Sequence, residues 1–104
     1  MSQYIHGGEI KNAVIKSACI LAGLSSVSLS IELHYGGGLH QGFKRGYAAD
    51  DKRIGWFICE VCRVAGVRQW SELEGKPVVS DSSYSQVFGI APILGGEWFA
   101  PEAE

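Results

Sequence analysis

Polar and apolar residues alternate without a break from Ser26 to Tyr35. Val27, Leu29, Ile31, Leu33 and Tyr35 fall on one side, and Ser26, Ser28, Ser30, Glu32 and His34 on the other. A period of two marks a strand with one face in the core and one in water. Gly36-Gly37-Gly38 follows, three residues free to take positive φ. A second run then places Leu39, Phe43 and Tyr47 on one side. The pattern predicts a β-hairpin over residues 27–47. Upstream, in residues 9–22, two sets compete for the inward face: Ala13, Ile15, Ser17 and Cys19 against Val14, Lys16, Ala18 and Ile20. The segment reads as a strand. A helix is the alternative, since residues 13–24 are rich in Ala, Leu and Ile. Residues 1–8, with Gly7-Gly8 and no periodicity, read as a loose lead-in. The polar turn at residues 23–26 predicts an antiparallel return, and hence a three-stranded meander.

The period changes after Asp50-Asp51. Ile54, Phe57, Ile58, Val61, Cys62 and Ala65 follow the spacing of one face of an α-helix, which one of the two aspartates caps and Gly66 stops. Burying four or five such side chains at roughly 1.5 to 3 kcal/mol each would make this helix the main tertiary stabilisation, packed on the apolar face of the sheet. Beyond it, Ser71 and Glu74 have capping-box spacing, with Gly75 limiting any helix to one turn. Residues 76–79 form a short strand that Pro77 places at an edge or a strand start. Residues 84–93 form the last strand, distorted at Gly89 and Pro92. Trp98 and Phe99 make the tail too apolar for a free end, so it is expected to dock on the body. The fold class that follows is α+β. It comprises an antiparallel sheet of about four to five strands, built from meander and hairpins, with one main α-helix on one face.

A chain of 104 residues is a single domain (residues 1–104), large enough to form a core without metals or disulfides. A formal charge of −2 provides no field that would draw it to nucleic acid or to anionic membrane. The longest apolar run, Cys19 to Leu24, falls far short of the roughly 18 to 20 residues that cross a bilayer, and the start lacks the basic and apolar regions of a signal peptide. A cytoplasmic location is expected. The three cysteines fit free thiols.

Candidate chemistry is sparse. Cys59-x-x-Cys62 lies in mid-helix, where no helix N-terminus stabilises a thiolate, and no second ligand pair has zinc-finger spacing; Cys62 reads as a core residue. His34 and His40 flank the glycine turn and are placed to meet across the strands, without a nucleophile beside them. Gly36-Gly37-Gly38 joins strand to strand and so offers no helix N-terminus to a phosphate. No metal, cofactor or enzymatic activity is expected. The helix face opposite the core stripe carries Trp56, Glu60, Arg63 and Val67, with Cys59 beside them. Trp and Arg are enriched in binding hot spots. An oligomer contact, a partner surface or cover by the aromatic tail would each explain this face. Lys44 and Arg45, with Lys52 and Arg53, form a basic spot that suits either phosphate or plain solvent.

Four stretches together resemble a group of small phage and prophage proteins. They are Ile10-Lys11-Asn12-Ala13-Val14-Ile15; Tyr35-Gly36-Gly37-Gly38 with Gln41-Gly42-Phe43 and Gly46-Tyr47; Trp70-x-x-Leu73-x-Gly75-Lys76; and Glu97-Trp98-Phe99-x-Pro101. The likeness spans residues 10–101 and carries no catalytic signature. Similar proteins often have a second Gly-Gly before the tyrosine, where this chain has Lys44-Arg45-Gly46. The resemblance implies a non-enzymatic anti-defence factor, first of all an anti-CRISPR inhibitor. Such a protein would bind a host Cas complex through Trp56, Glu60, Arg63, Val67, Lys44 and Arg45, with a homodimer compatible with that role, without reading nucleic-acid sequence or touching a membrane. The alternative it implies is a sponge for a cyclic or other nucleotide second messenger, with glycine amides, Lys44, Arg45 and aromatics around phosphate and base at an oligomer interface.

Overall fold

The computed structural model describes residues 8–83 and 86–101; the lead-in expected over residues 1–8 lies almost wholly outside them. The strands are β1 (Glu9–Ala22), β2 (Ser26–Gly36), β3 (Leu39–Ala48), β4 (Pro77–Ser82) and β5 (Val87–Pro92). They form one antiparallel sheet in the order β3-β2-β1-β4-β5. Helix α1 (Arg53–Ala65) crosses one face, and a 3₁₀ turn, Trp70–Glu72, leads into β4. The protein is therefore an α+β fold, with the expected meander formed by β1, β2 and β3. β4 runs to Ser82, beyond the short strand expected, and carries the chain back beside the first half of β1.

The two inward sets that compete in β1 are both correct, each over half the strand. Ala13 and Ile15 point to the core, opposite Val78 and Leu33. The register then slips between Ile15 and Ser17, and beyond the slip Ala18, Ile20 and Ala22 take the inward side, opposite Ile31, Leu29 and Val27. A β-bulge adds one unpaired residue and so reverses the alternation, which no single period can describe. In β2 the alternation holds as read, with Leu29, Ile31 and Leu33 all at 1% exposure or less. Phe43 and Tyr47 of β3 join them in the core. Leu39 does not. It follows a second irregularity between His34 and Gly36 and is exposed.

α1 begins where Asp51 accepts the Arg53 backbone N–H at 2.8 Å, and it ends at Gly66, whose φ of 74° lets its N–H turn back to the Arg63 and Cys62 carbonyls. Phe57, Val61, Cys62 and Val64 are buried, while Ile54, Ile58 and Ala65 pack half-buried at the margin. The buried arc thus extends past the expected stripe toward Trp56, because the tail lies on that side. Phe99 pairs with Ile90 through two backbone hydrogen bonds, 3.0 and 2.8 Å. Its ring stands edge-on to Phe57 and to Trp56, with centroids 5.3 and 5.0 Å away. The docked tail expected from its aromatics is present. The 3₁₀ turn is capped by Gln69 and Glu72 rather than by Ser71 and Glu74, since the turn begins one residue before Ser71.

Candidate functional site

The opposite side of the sheet carries the polar half of β2, with Ser28, Ser30, Glu32 and His34, and also Lys44. Lys44 stands opposite Ser30. Arg45 stands opposite Leu29 and so belongs to the helix side. Alternation separates these neighbours: Lys44 cannot share a patch with Trp56, Glu60 and Arg63 on α1 or with Val67 just past it, whereas Arg45 lies on the same side as the helix. The basic spot is divided further, because Arg53 is held by Asp51 at 2.8 Å and its guanidinium lies 4.9 Å from the centre of the Tyr47 ring.

On α1 Trp56, Glu60 and Arg63 share one face, while Val67 falls beyond the helix end at Gly66, and they are not bare. Trp56 and Val67 are half-buried against the core. Arg63 donates to both Glu60 carboxylate oxygens at 2.9 and 3.0 Å, and to the Glu97 carbonyl at 3.3 Å. The hydrogen-bonded Glu60 carboxylate raises the Arg63 pKa above its ordinary value, and burial raises that of the Cys62 thiol. The tail therefore accounts for much of the cover that the sequence leaves open among tail, partner and second copy.

A different place gathers polar groups: the end of the sheet near the glycine turn. The inward face continues there beyond the apolar core, with Lys11 in the phase of Ala13, Tyr35 in that of Leu33, and Ser80 and Ser82 in that of Val78. Ser80 Oγ lies within hydrogen-bonding distance of the Lys11 carbonyl oxygen (3.3 Å) and of Tyr35 Oη (3.2 Å). The Lys11 ammonium sits 5.4 Å from the centre of the Tyr35 ring and 3.4 Å from a Glu9 carboxylate oxygen. Gln41 Nε2 donates to the Ser83 carbonyl at 2.8 Å, tying β3 to the segment after β4. Glu9, Lys11, Tyr35, Gln41 and Ser83 line a cleft of about 450 Å³, whose walls also include Gly8, Leu39, His40 and Ser82; Ser80 is fully buried and is not part of the wall. No residue of α1 lines it. Asp81 is 2% exposed with Oδ1 unpartnered among the described residues, and a Cβ at Gly8 would collide with that oxygen.

The triglycine segment does what the hairpin requires, with φ of 91°, 61° and 83° at Gly36, Gly37 and Gly38. It brings His34 opposite His40, with ring centroids 4.8 Å apart. His40 thus joins the cleft wall to a second, more open hollow of about 480 Å³ that contains Glu32, Gln41 and Lys44. Cys59 is exposed and Cys62 buried within α1. Among the described residues no three His, Cys, Asp or Glu side chains converge as a metal site, and no helix is long and apolar enough to cross a membrane.

The cleft was missed because Lys11, Tyr35 and Ser82 are far apart in the chain. The signal that could reveal it is phase: a lysine, a tyrosine and a serine in inward positions at one end of three neighbouring strands. Comparison with protein-family models, curated proteins and solved structures finds no match.

Proposed function

We propose that this protein is a non-enzymatic anti-defence factor of the phage type that acts in the host cytoplasm by sequestering a small anionic, nucleotide-like second messenger. The observation that carries this reading is the cleft between β1, β2, β3 and the end of β4, where the Lys11 ammonium, the Glu9 carboxylate paired with it, the Tyr35 ring, an imidazole, a carboxamide and two serines line a volume within the ordinary range for small-molecule sites. Lys11 supplies the charge for a phosphate. Tyr35 and His40 supply flat faces for a base, and Lys44 in the adjoining hollow extends the positive charge. Among the described residues of the cleft wall no nucleophile stands with a base and an orienting acid, and binding rather than turnover is the chemistry we assign to it.

Calorimetric titration with cyclic mono- and dinucleotides and cyclic ADP-ribose tests the reading. Micromolar or tighter binding of at least one is expected, weakened about tenfold or more by Lys11→Ala and by Tyr35→Ala, with each variant's fold checked by circular dichroism. Absence of binding across the panel, or binding unchanged by both substitutions, overturns it.

The second reading is an inhibitor that binds a host Cas effector complex. It is supported by Trp56, Glu60 and Arg63 sharing one face of α1, with Val67 beyond the helix end and Arg45 on the same side of the sheet. Co-purification of the protein with such a complex, reduced by Arg63→Ala and indifferent to Lys11→Ala, would replace the first reading.

A further inference from the structure

Among the described residues, the second half of β1 is an edge strand whose one strand neighbour is β2. β4 pairs with β1 only as far as Val14, opposite Pro77, and the chain before it stays beside Ile15, whose N–H donates to the Lys76 carbonyl and whose carbonyl accepts from Gly75. Beyond that point, among the described residues, β1 pairs with β2 alone. The direction of its backbone groups follows from the register. Ile15 turns its N–H and C=O away from β2, so Leu33 opposite it bonds toward β3. Ile31 and Leu29, in the same phase as Leu33, do likewise. Ala18 and Ile20 face them and therefore direct their N–H and C=O into the lane that β4 leaves vacant.

The side chains offer none of the usual protection for such an edge. Ile20, Leu21 and Leu24 are 43%, 58% and 108% exposed, no proline interrupts the segment, and its sole charge is Lys16 at the bulge. The other two edges differ. β5 is bridged by Phe99, and β3 carries Lys44 between Gly42 and Gly46.

We propose that residues 16–22 of β1 pair antiparallel with the same residues of a second copy, forming a continuous sheet across a twofold axis. A second copy suits the edge because the segment complements itself. With the axis at Cys19, all of residues 16–22 find an opposite number. Ala18 meets Ile20, so that outward hydrogen-bonding residues face one another, and Lys16 meets Ala22 rather than another lysine. Leu21 lies diagonal to Cys19. The end of the incoming strand approaches the hollow of about 200 Å³ lined by Ser17, Ala18, Trp70, Ser71 and Glu74. Cys19 opposes Cys19 in a non-hydrogen-bonded pair. Such pairs bring Cα atoms to about 4.5 Å, inside the range that a disulfide bridges.

The thiol is therefore a built-in reporter. Light scattering at about 100 µM is expected to give twice the chain mass of 11.2 kDa. Copper-phenanthroline with oxygen should cross-link the Cys59→Ser protein through Cys19 to a reducible dimer, at a rate at least tenfold above the Cys19→Ser protein, in which the exposed Cys59 reports random collision. Ile20→Pro removes an N–H that has no use within the monomer, and Leu21→Lys places like charge near the axis; both should give monomers with an unchanged circular dichroism spectrum. A monomer in the unmodified protein overturns the proposal. So does a dimer that survives Leu21→Lys and cross-links no faster through Cys19 than the collision control.

Discussion

Asp51 holds Arg53 twice, by backbone N–H and by guanidinium, immediately before α1 begins. Those hydrogen bonds keep its carboxyl below the ordinary value of 3.8. A carboxylate whose folded pKa is depressed stabilises the fold at pH above its unfolded value, and that contribution is lost as pH falls through the folded value. Asp51→Asn should therefore lower the melting temperature slightly at neutral pH. The gap to the parent protein should close as melts are recorded at progressively more acid pH below 3.8. A gap constant with pH would show that shape, not charge, accounts for the effect. The cap expected from Asp50-Asp51 is displaced: Lys52 takes the N-cap position without a side-chain hydrogen bond, and Asp51 acts on Arg53 from one residue earlier. Periodicity does not specify that offset, because it depends on where the chain leaves β3.

At the scale of elements, the long alternation of β2 was readable because nothing interrupts it between Ser26 and His34. β1 was only half readable. Its apolar residues change sides at the bulge, and a residue added to a strand has no signature in composition. The helix was legible in position, but the arc it buries was not, because Phe99 arrives from a tail whose docking point periodicity does not specify. β3 provides a sharper test of close packing. A Cβ at Gly42 would stand 2.6 Å from the Ile31 carbonyl oxygen, whereas at Gly46 the nearest atom is Ser28 Oγ at 3.9 Å. Gly42→Val should cost about 1 to 3 kcal/mol in urea unfolding. Gly46→Val, on the same strand and facing the same side, should be close to neutral.

Across the whole molecule, the tail connects the layers. Phe99 is 2% exposed, touches Phe57 and Trp56 on the helix, and bridges β5 on the sheet. Phe99→Ala should destabilise the protein by about 3 to 5 kcal/mol by chemical denaturation, the range for emptying a buried aromatic site. It should also shift Trp56 emission to the red in a background where Trp70 and Trp98 are phenylalanine. A loss below about 1 kcal/mol would mean that the tail rests on the fold without supporting it. The cleft exists only at this scale: Lys11, Tyr35 and Ser82 meet because β1 lies between β2 and β4. No local pattern records that arrangement, which is why the sequence directs attention to the outward side of α1 instead.

The bulge beside Lys16 acts on side chains much as an inserted letter acts on a reading frame. Excising that single residue would join Ser17 directly to Ile15 and close the ladder, leaving Ala18 opposite Ile31 and Ile20 opposite Leu29 with their faces unchanged. A lineage carrying this fold can therefore lose one codon at the midpoint of β1 without exchanging the two sides of the strand beyond it.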